Sequence, residues 1–311
     1  MPSPTSNQVH IDQPLTNISL AYRNDEAGYI AEKVFPRVPV RKQSDKYFTY
    51  VKADWFRDEM DRRAPGARSV RVDYGISTDS YLAEVYGVAK GIPDEVYDNV
   101  DSPLQPLAEA TEFLTDKAFI KKEIQVAAIA FGTGWSSSAT PSILWDLDTS
   151  NPIGDAATAV NTVEQNIGRT PNLGVIGGDL WRHLMQHPDL VDRIKGAAGP
   201  GQPAILTESA IAALLGVNSL AIGKAMKENA LEGQTSSRAR IWGLHALFVY
   251  VTGSPALRTP NAGYVFEWNT RQVNRYREEQ EHQDVVEVTQ SFDVKLVATD
   301  AAYFYKNASS T

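Results

Sequence analysis

Apolar and polar residues follow three different rhythms along this chain, and the clearest is helical. Between Asp101 and Gly132, Leu107, Ala110, Leu114, Ala118, Ile124, Ala127, Ala128 and Phe131 recur at steps of three and four. That spacing puts an apolar face on one long helix. Pro103 and Pro106 suit its entry, because proline is tolerated in the first turn and little beyond it. Glu109, Glu112 and Asp116 precede Lys117, Lys121 and Lys122, an order that opposes the helix dipole at both ends. Gly132 and Gly134 stop it. From Pro106 to Phe131 the rod spans roughly 39 Å at 1.5 Å per residue. That is well above the usual ~11–12 residues, which suggests that it braces something extended. A core helix of an ordinary enzyme domain would give the same pattern.

The second rhythm has period two. Residues 47–51 (YFTYV) have strand composition, and Val70, Val72, Tyr74 and Ile76 alternate with Arg71, Asp73 and Gly75. Between them lies a connection dense in both signs of charge, with Trp55, Phe56, Arg57, Asp58, Glu59, Asp61, Arg62, Arg63 and Arg68, and Pro65-Gly66 as a turn pair. The pattern predicts a two-stranded arm over residues 41–78. An isolated hairpin is marginally stable in water, so it needs another surface, and exposed Trp55 and Phe56 point the same way. A hairpin packed on its own domain is the plainer reading.

The third rhythm alternates helix and strand. Residues 79–100 are mixed, and 132–152 form a Gly/Ser/Pro-rich connection that marks a boundary. Helices are expected from Asp155 to Ile167, from Gly178 to His187, after Pro188, and from Ser209 to Gly216. Strands are expected at 173–176, 217–222 and 241–251, with a flexible loop at 196–204. The sum is an α/β unit of about 120 residues. From Glu278 onward the chain turns β, with two short strands and a terminal one at 301–305. These lack a helix of their own, so the long helix is expected to cover them and 153–275 to be an insertion. Residues 1–20, polar and with three prolines, read as an arm that borrows structure from a partner. Residues 29–35 read as a short helix ended by Pro36.

Composition narrows the function. At 311 residues, with 42% hydrophobic and 22% charged, the chain supports about two domains with a sizeable core. A net charge of -8 argues against a general grip on nucleic acid. No run reaches the ~20 apolar residues of a membrane span, and the N-terminus lacks signal-peptide character. Without cysteine there is no disulfide, thiolate metal site or cysteine nucleophile. His183 and His187 have a zinc-pair spacing, but Leu184 stands where the HExxH motif needs glutamate. Gly223-Lys224 followed by Ala225 is no phosphate loop, and no GxSxG elbow occurs. No catalytic, cofactor or metal site emerges. The Asn17 and Asn307 sequons read as chance.

The order of parts resembles the tailed-bacteriophage major capsid protein family. The local likeness lies in TDSYLAEVY (78–86) before the long helix, in PNLGVIGGDLWRHLMQHPDLVDRIK (171–195), whose helix ends in a His-Pro-Asp turn, and in IWGLHALFVY (241–250). The resemblance implies an α+β capsid fold. In it, 1–40 would be the N-terminal arm and 41–78 the extended loop. Residues 79–140 and 276–311 would form a peripheral domain with its spine helix at about 103–131, and 141–275 an axial domain. It implies a non-enzymatic homo-oligomer of hexamers and pentamers, an icosahedral virion shell assembled in the host cytoplasm around double-stranded DNA without sequence-specific binding. A portal is implied, and a decoration protein is an open addition. Some members carry a long N-terminal scaffolding segment that this chain lacks, so a separate scaffolding protein is expected. Some relatives crosslink through an extended-loop lysine; Lys46 and Lys52 lie in that region, although two solvated lysines are the simpler account. An encapsulin-type nanocompartment shell shares the fold and is the alternative, with a soluble two-domain enzyme behind it.

Overall fold

A computed structural model describes residues 24–100, 104–198, 206–254 and 259–310. In chain order come α1 (Ala31–Val34), β1 (Arg37–Pro39), β2 (Ser44–Tyr50), α2 (Lys52–Phe56), β3 (Ile76–Leu82), β4 (Glu84–Pro93), α3 (Asp94–Asp98), the long α4 (Pro106–Ala130) and β5 (Ser137–Ala139). There follow α5 (Pro152–Ile167), β6 (Leu173–Gly177), α6 (Gly178–Gln186), α7 (Pro188–Ala198), α8 (Glu208–Leu214), β7 (Ser219–Gly223), β8 (Met226–Glu228), β9 (Arg238–Arg240) and β10 (Ala246–Val249). The chain closes with β11 (Gly263–Glu278), β12 (Gln283–Leu296) and β13 (Ala302–Tyr305).

Two sheets organise these elements. One has the order β1-β11-β12-β4 and the other β5-β13-β10-β6-β7. The long helix lies along the first, where Ala110, Leu114 and Ala118 meet Ile92, Val286 and Val288. Its last turns, with Val126, Ala127 and Ala130, enter a larger core shared by both sheets, which includes Val34, Phe35, Val265, Phe292, Leu247 and Phe304. The second sheet uses both faces. Val175, Leu247 and Phe304 point into that shared core. Their neighbours Ile176, Phe248 and Tyr305 pack instead with the residues of α5, α6 and α8. Successive strand residues alternate sides, so one sheet serves two cores.

Several expected elements shift. The second strand of the arm is Ile76–Leu82, in register Tyr50↔Ile76 to Ser44↔Leu82, and not 70–76. The reason is local: β2 ends at Tyr50 and the chain coils into α2, so no strand lies opposite 70–75. The period there is real, but it has no strand to pair with. Residues 84–93 form a full strand against β12. The strand expected over 241–251 shortens to Ala246–Val249, and β11 starts at Gly263 to make a hairpin with β12 of 16 and 14 residues. The terminal strand Ala302–Tyr305 joins β10 and β5 in the second sheet, away from the strands preceding it. Ala128, expected on the buried face of the long helix, is exposed. Residues 1–20 and most of the 196–204 loop lie outside the described residues.

Candidate assembly surface

Strands β2 and β3 form a separate two-stranded tongue. Its base is anchored by aromatic stacking: Phe266 of β11 takes the ring of Tyr81 at 4.6 Å and that of Tyr47 at 5.5 Å. The Leu82 amide donates to Asp293 at 2.9 Å. Beyond the strands, Tyr50, Trp55 and Tyr74 form a cluster with centroids 6.0–6.1 Å apart. The Gly75 amide donates to Asp54 at 2.9 Å. The tongue leans back on the body at two points. Lys52 pairs with Asp300 at 2.9 Å, and the Phe56 ring sits over Gly168, whose φ of +66° ends α5 in the left-handed region. Between tongue and body runs a mostly apolar groove of about 840 Å³, bordered by Tyr47, Tyr50, Trp55, Phe56, Tyr264 and Phe266.

The residues singled out in the sequence are thus brought onto one projecting segment, with different fates. Trp55 and Phe56 each find an internal neighbour and stay 54% and 63% exposed. Arg57 pairs with Glu59 at 2.9 Å and Asp54 at 3.6 Å, and Asp58 accepts from the Met60 amide at 3.4 Å. Among the described residues, Asp61, Arg62, Arg63 and Arg68 have no ion pair. Sequence reasoning missed the exposed apolar partners: Phe48, Met60 at 94% exposure, Val70 and Val72. For Val70 and Val72 the signal was the period-two run, read there as a paired strand.

A second feature was also missed. Glu123, 1% exposed, sits on the buried stripe of the long helix. Its carboxylate accepts from the amides of Ile30 at 2.7 Å and Ala31 at 3.0 Å and from the Trp242 indole at 2.5 Å. Burial pushes its carboxyl above the usual range, outweighing these donors and nearby Lys122, which pull it down. Lys122 bridges Glu32 at 2.7 Å and Glu267 at 2.8 Å. One helical turn therefore ties the segment before β1, strand β11 and the loop before β10. The available signal was a charged pair interrupting an apolar stripe.

The histidine pair separates. His187 is buried and bonds Ser150 at 2.9 Å, which resembles a catalytic dyad. However, its Nδ1 accepts the Asp189 amide at 3.3 Å. Nε2 then carries the proton and donates towards Ser150 and the Leu147 carbonyl. An imidazole so placed ties a turn together and has no lone pair with which to activate the serine. Among the described residues, no helix is long and apolar enough to cross a membrane.

No family model matches the chain. It is 27% identical over 307 residues to the major capsid protein of Pseudomonas phage JBD67, covering 96% of this chain and 97% of that one. It is 26% identical over 306 residues to the major capsid protein of Burkholderia phage BcepMu, covering 94% and 95%. Among solved structures it resembles a phage-related protein from Bordetella bronchiseptica RB50, with a TM-score of 0.71 and 20% identity over 92% of this chain and 94% of that one. It also resembles the capsid structure of cyanophage P-SCSP1u, with a TM-score of 0.64 and 10% identity over 98% of each.

Proposed function

We infer that the chain belongs to the tailed-bacteriophage major capsid protein family, whose α+β fold it has, and that it builds the icosahedral head of a virion. The observation that carries this is the end-to-end match to two phage major capsid proteins, over at least 94% of both partners. The protein is a structural, non-enzymatic component of a homo-oligomeric shell. Both relatives being phage head proteins favours a genome-enclosing shell over a cargo nanocompartment.

Within that fold, the tongue serves as the extended loop and the long helix as the spine. The sheet β1-β11-β12-β4 forms the peripheral domain, and the sheet β5-β13-β10-β6-β7 with its helices forms the axial domain. On this reading the peripheral domain regains the chain at Gly263, and the terminal strand at 302–305 belongs to the axial domain. Hexamers and pentamers built through many modest contacts gain stability from closure. A net charge of -8 lets such a shell surround DNA without adhering to it. A separate scaffolding protein, a portal and an optional decoration protein complete the assembly, which proceeds in the host cytoplasm.

Trp55, Phe56, Arg57, Asp58, Glu59, Asp61, Arg62, Arg63 and Arg68 contact neighbouring subunits, with the charges setting register more than affinity. Arg62 and Arg63 are free of internal ion pairs among the described residues, so the double variant Arg62→Glu/Arg63→Glu tests this. Particle formation should fall while the circular dichroism spectrum of the soluble subunit is unchanged. Particles at wild-type yield would count against these contacts.

A further inference from the structure

Among the described residues, β8 and β9 pair only with each other, from Met226↔Arg240 to Glu228↔Arg238. A two-stranded hairpin with three residues in each strand is marginal in water. The direction of its hydrogen bonds leaves one edge of β8 open. The Ile241 amide donates to the Ala225 carbonyl at 3.0 Å, and the Asn229 amide to the Ser237 carbonyl at 2.8 Å. Alternate residues of an antiparallel strand face the same way, so Ala225, Lys227 and Asn229 turn their backbone groups towards β9. Met226 and Glu228 turn theirs outward.

Asn24 already occupies part of that edge. Its carboxamide accepts from the Met226 amide at 3.0 Å and donates to the Met226 carbonyl at 2.9 Å. Those are the two hydrogen bonds that a residue of a third strand would make there. Further along the chain, Gly28 lies against Lys224 and Ala225, where a Cβ would stand 3.4 Å from the Ala225 nitrogen. As residue numbers fall from 28 to 24, the chain therefore advances along β8 from 224 towards 226, antiparallel to it. Carried on in that direction, the residues before Asn24 pass Glu228, the next outward residue. Among the described residues, the Glu228 amide and carbonyl have no backbone partner.

The sequence before Asn24 suits an edge of this kind. Ile18, Leu20 and Tyr22 alternate with Ser19, Ala21 and Arg23, the period of a strand with one apolar side. The hairpin offers apolar surface to match. Met226 on β8 is 38% exposed, and Leu231 just beyond it is 73% exposed. Continuity favours the same copy as the source of the strand, because residue 23 is joined to Asn24, which is already on the edge.

We propose that residues 18–23 add a third strand to the open edge of β8, antiparallel to it and within their own subunit. Tyr22 then stands opposite Glu228, exchanging main-chain hydrogen bonds with it, and Tyr22 and Leu20 cover Met226 and Leu231. The strand anchors the N-terminal segment to the hairpin and closes an edge that would otherwise accept another chain. The surface from which this segment borrows its structure is therefore in its own chain. This assignment does not depend on the shell-forming reading above.

The absence of cysteine from the chain makes thiol crosslinking a clean test. Tyr22→Cys and Met226→Cys, introduced together in the full chain, place two thiols at diagonal positions across the ladder, about 7–8 Å apart and within reach of a short bis-maleimide. Met226 meets Asn24 through its backbone, so changing its side chain leaves that clamp in place. The unassembled subunit should give a monomer with both ends of one reagent attached, read by intact mass. A linked dimer would assign the strand to a second copy and overturn the proposal, and so would a failure to link. Amide exchange gives an independent reading. The Glu228 amide of the wild type should exchange about three- to tenfold more slowly than that of Leu20→Pro/Tyr22→Pro, the worth of about one hydrogen bond. Circular dichroism checks that the variants remain folded. Equal exchange at Glu228 in the two chains overturns the proposal.

Discussion

Replacing Glu123 with alanine strikes the point where the long helix holds three other parts of the chain. The substitution strands the buried Ile30 and Ala31 amides and the Trp242 indole, which the carboxylate now serves at 2.5–3.0 Å. Leaving a buried donor unsatisfied costs about 1–3 kcal/mol, so three give roughly 3–9 kcal/mol. Part of this is returned, because removing the carboxylate also removes its desolvation penalty, the cause of its raised pKa. A net loss of about 3–6 kcal/mol follows, a large share of the ~5–15 kcal/mol typical of a folded domain. The assay is urea unfolding of the unassembled subunit, followed by circular dichroism, with amide exchange read at Ile30 and Ala31. Both amides should lose protection, and Trp242→Phe combined with Glu123→Ala should cost less than the sum of the two. A loss below about 0.5 kcal/mol, in the range of surface substitutions, with protection at Ile30 and Ala31 unchanged, would refute the reasoning.

Two further outcomes follow from the same helix. Phe119→Pro removes an interior hydrogen bond and clashes with the preceding turn, about 3 kcal/mol or more. It also removes the ring that stacks on Tyr29 at 5.6 Å and lies under Arg271 at 4.3 Å, so particles should be lost together with helicity by circular dichroism; particles at wild-type yield would contradict a continuous spine. The raised Glu123 pKa fixes a pH dependence. Between the unfolded and the higher folded value the native state binds more protons, so this group's contribution is present at low pH and fades as pH climbs through the folded pKa. Relative to Glu123→Gln, the wild type should therefore gain stability in urea titrations as pH is lowered through the raised folded pKa towards the ordinary carboxylate range, and a constant difference would contradict this sign.

How much was legible in the sequence depended on whether neighbours in the chain were also neighbours in space. The long helix was readable to within about three residues at its start and one at its end, since its periodicity, entry prolines and stopping glycines are all local. The same locality misled at 70–76. Alternation of Val70, Val72 and Tyr74 is a valid strand signal, yet a strand exists only where a partner lies opposite, and α2 removes that partner. The long β11–β12 hairpin was half hidden because its outer part, NTRQVNRYRE from Asn269 to Glu278, is polar and largely exposed. It forms by pairing along β12 and not by burial. Glu123 could be seen interrupting an apolar stripe, but its partners lie 93, 92 and 119 residues away, beyond any local pattern. The charged connection was legible as an exposed segment, because its charges of both signs leave it little to bury.

The central claim is that this chain closes into shells, and the most direct measurement is electron microscopy of the expressed, purified wild-type protein in negative stain, with sedimentation velocity on the same sample. The account predicts closed, hollow particles of uniform diameter that sediment as a discrete, massive species. A protein that stays monomeric at every concentration and salt condition tried would contradict it.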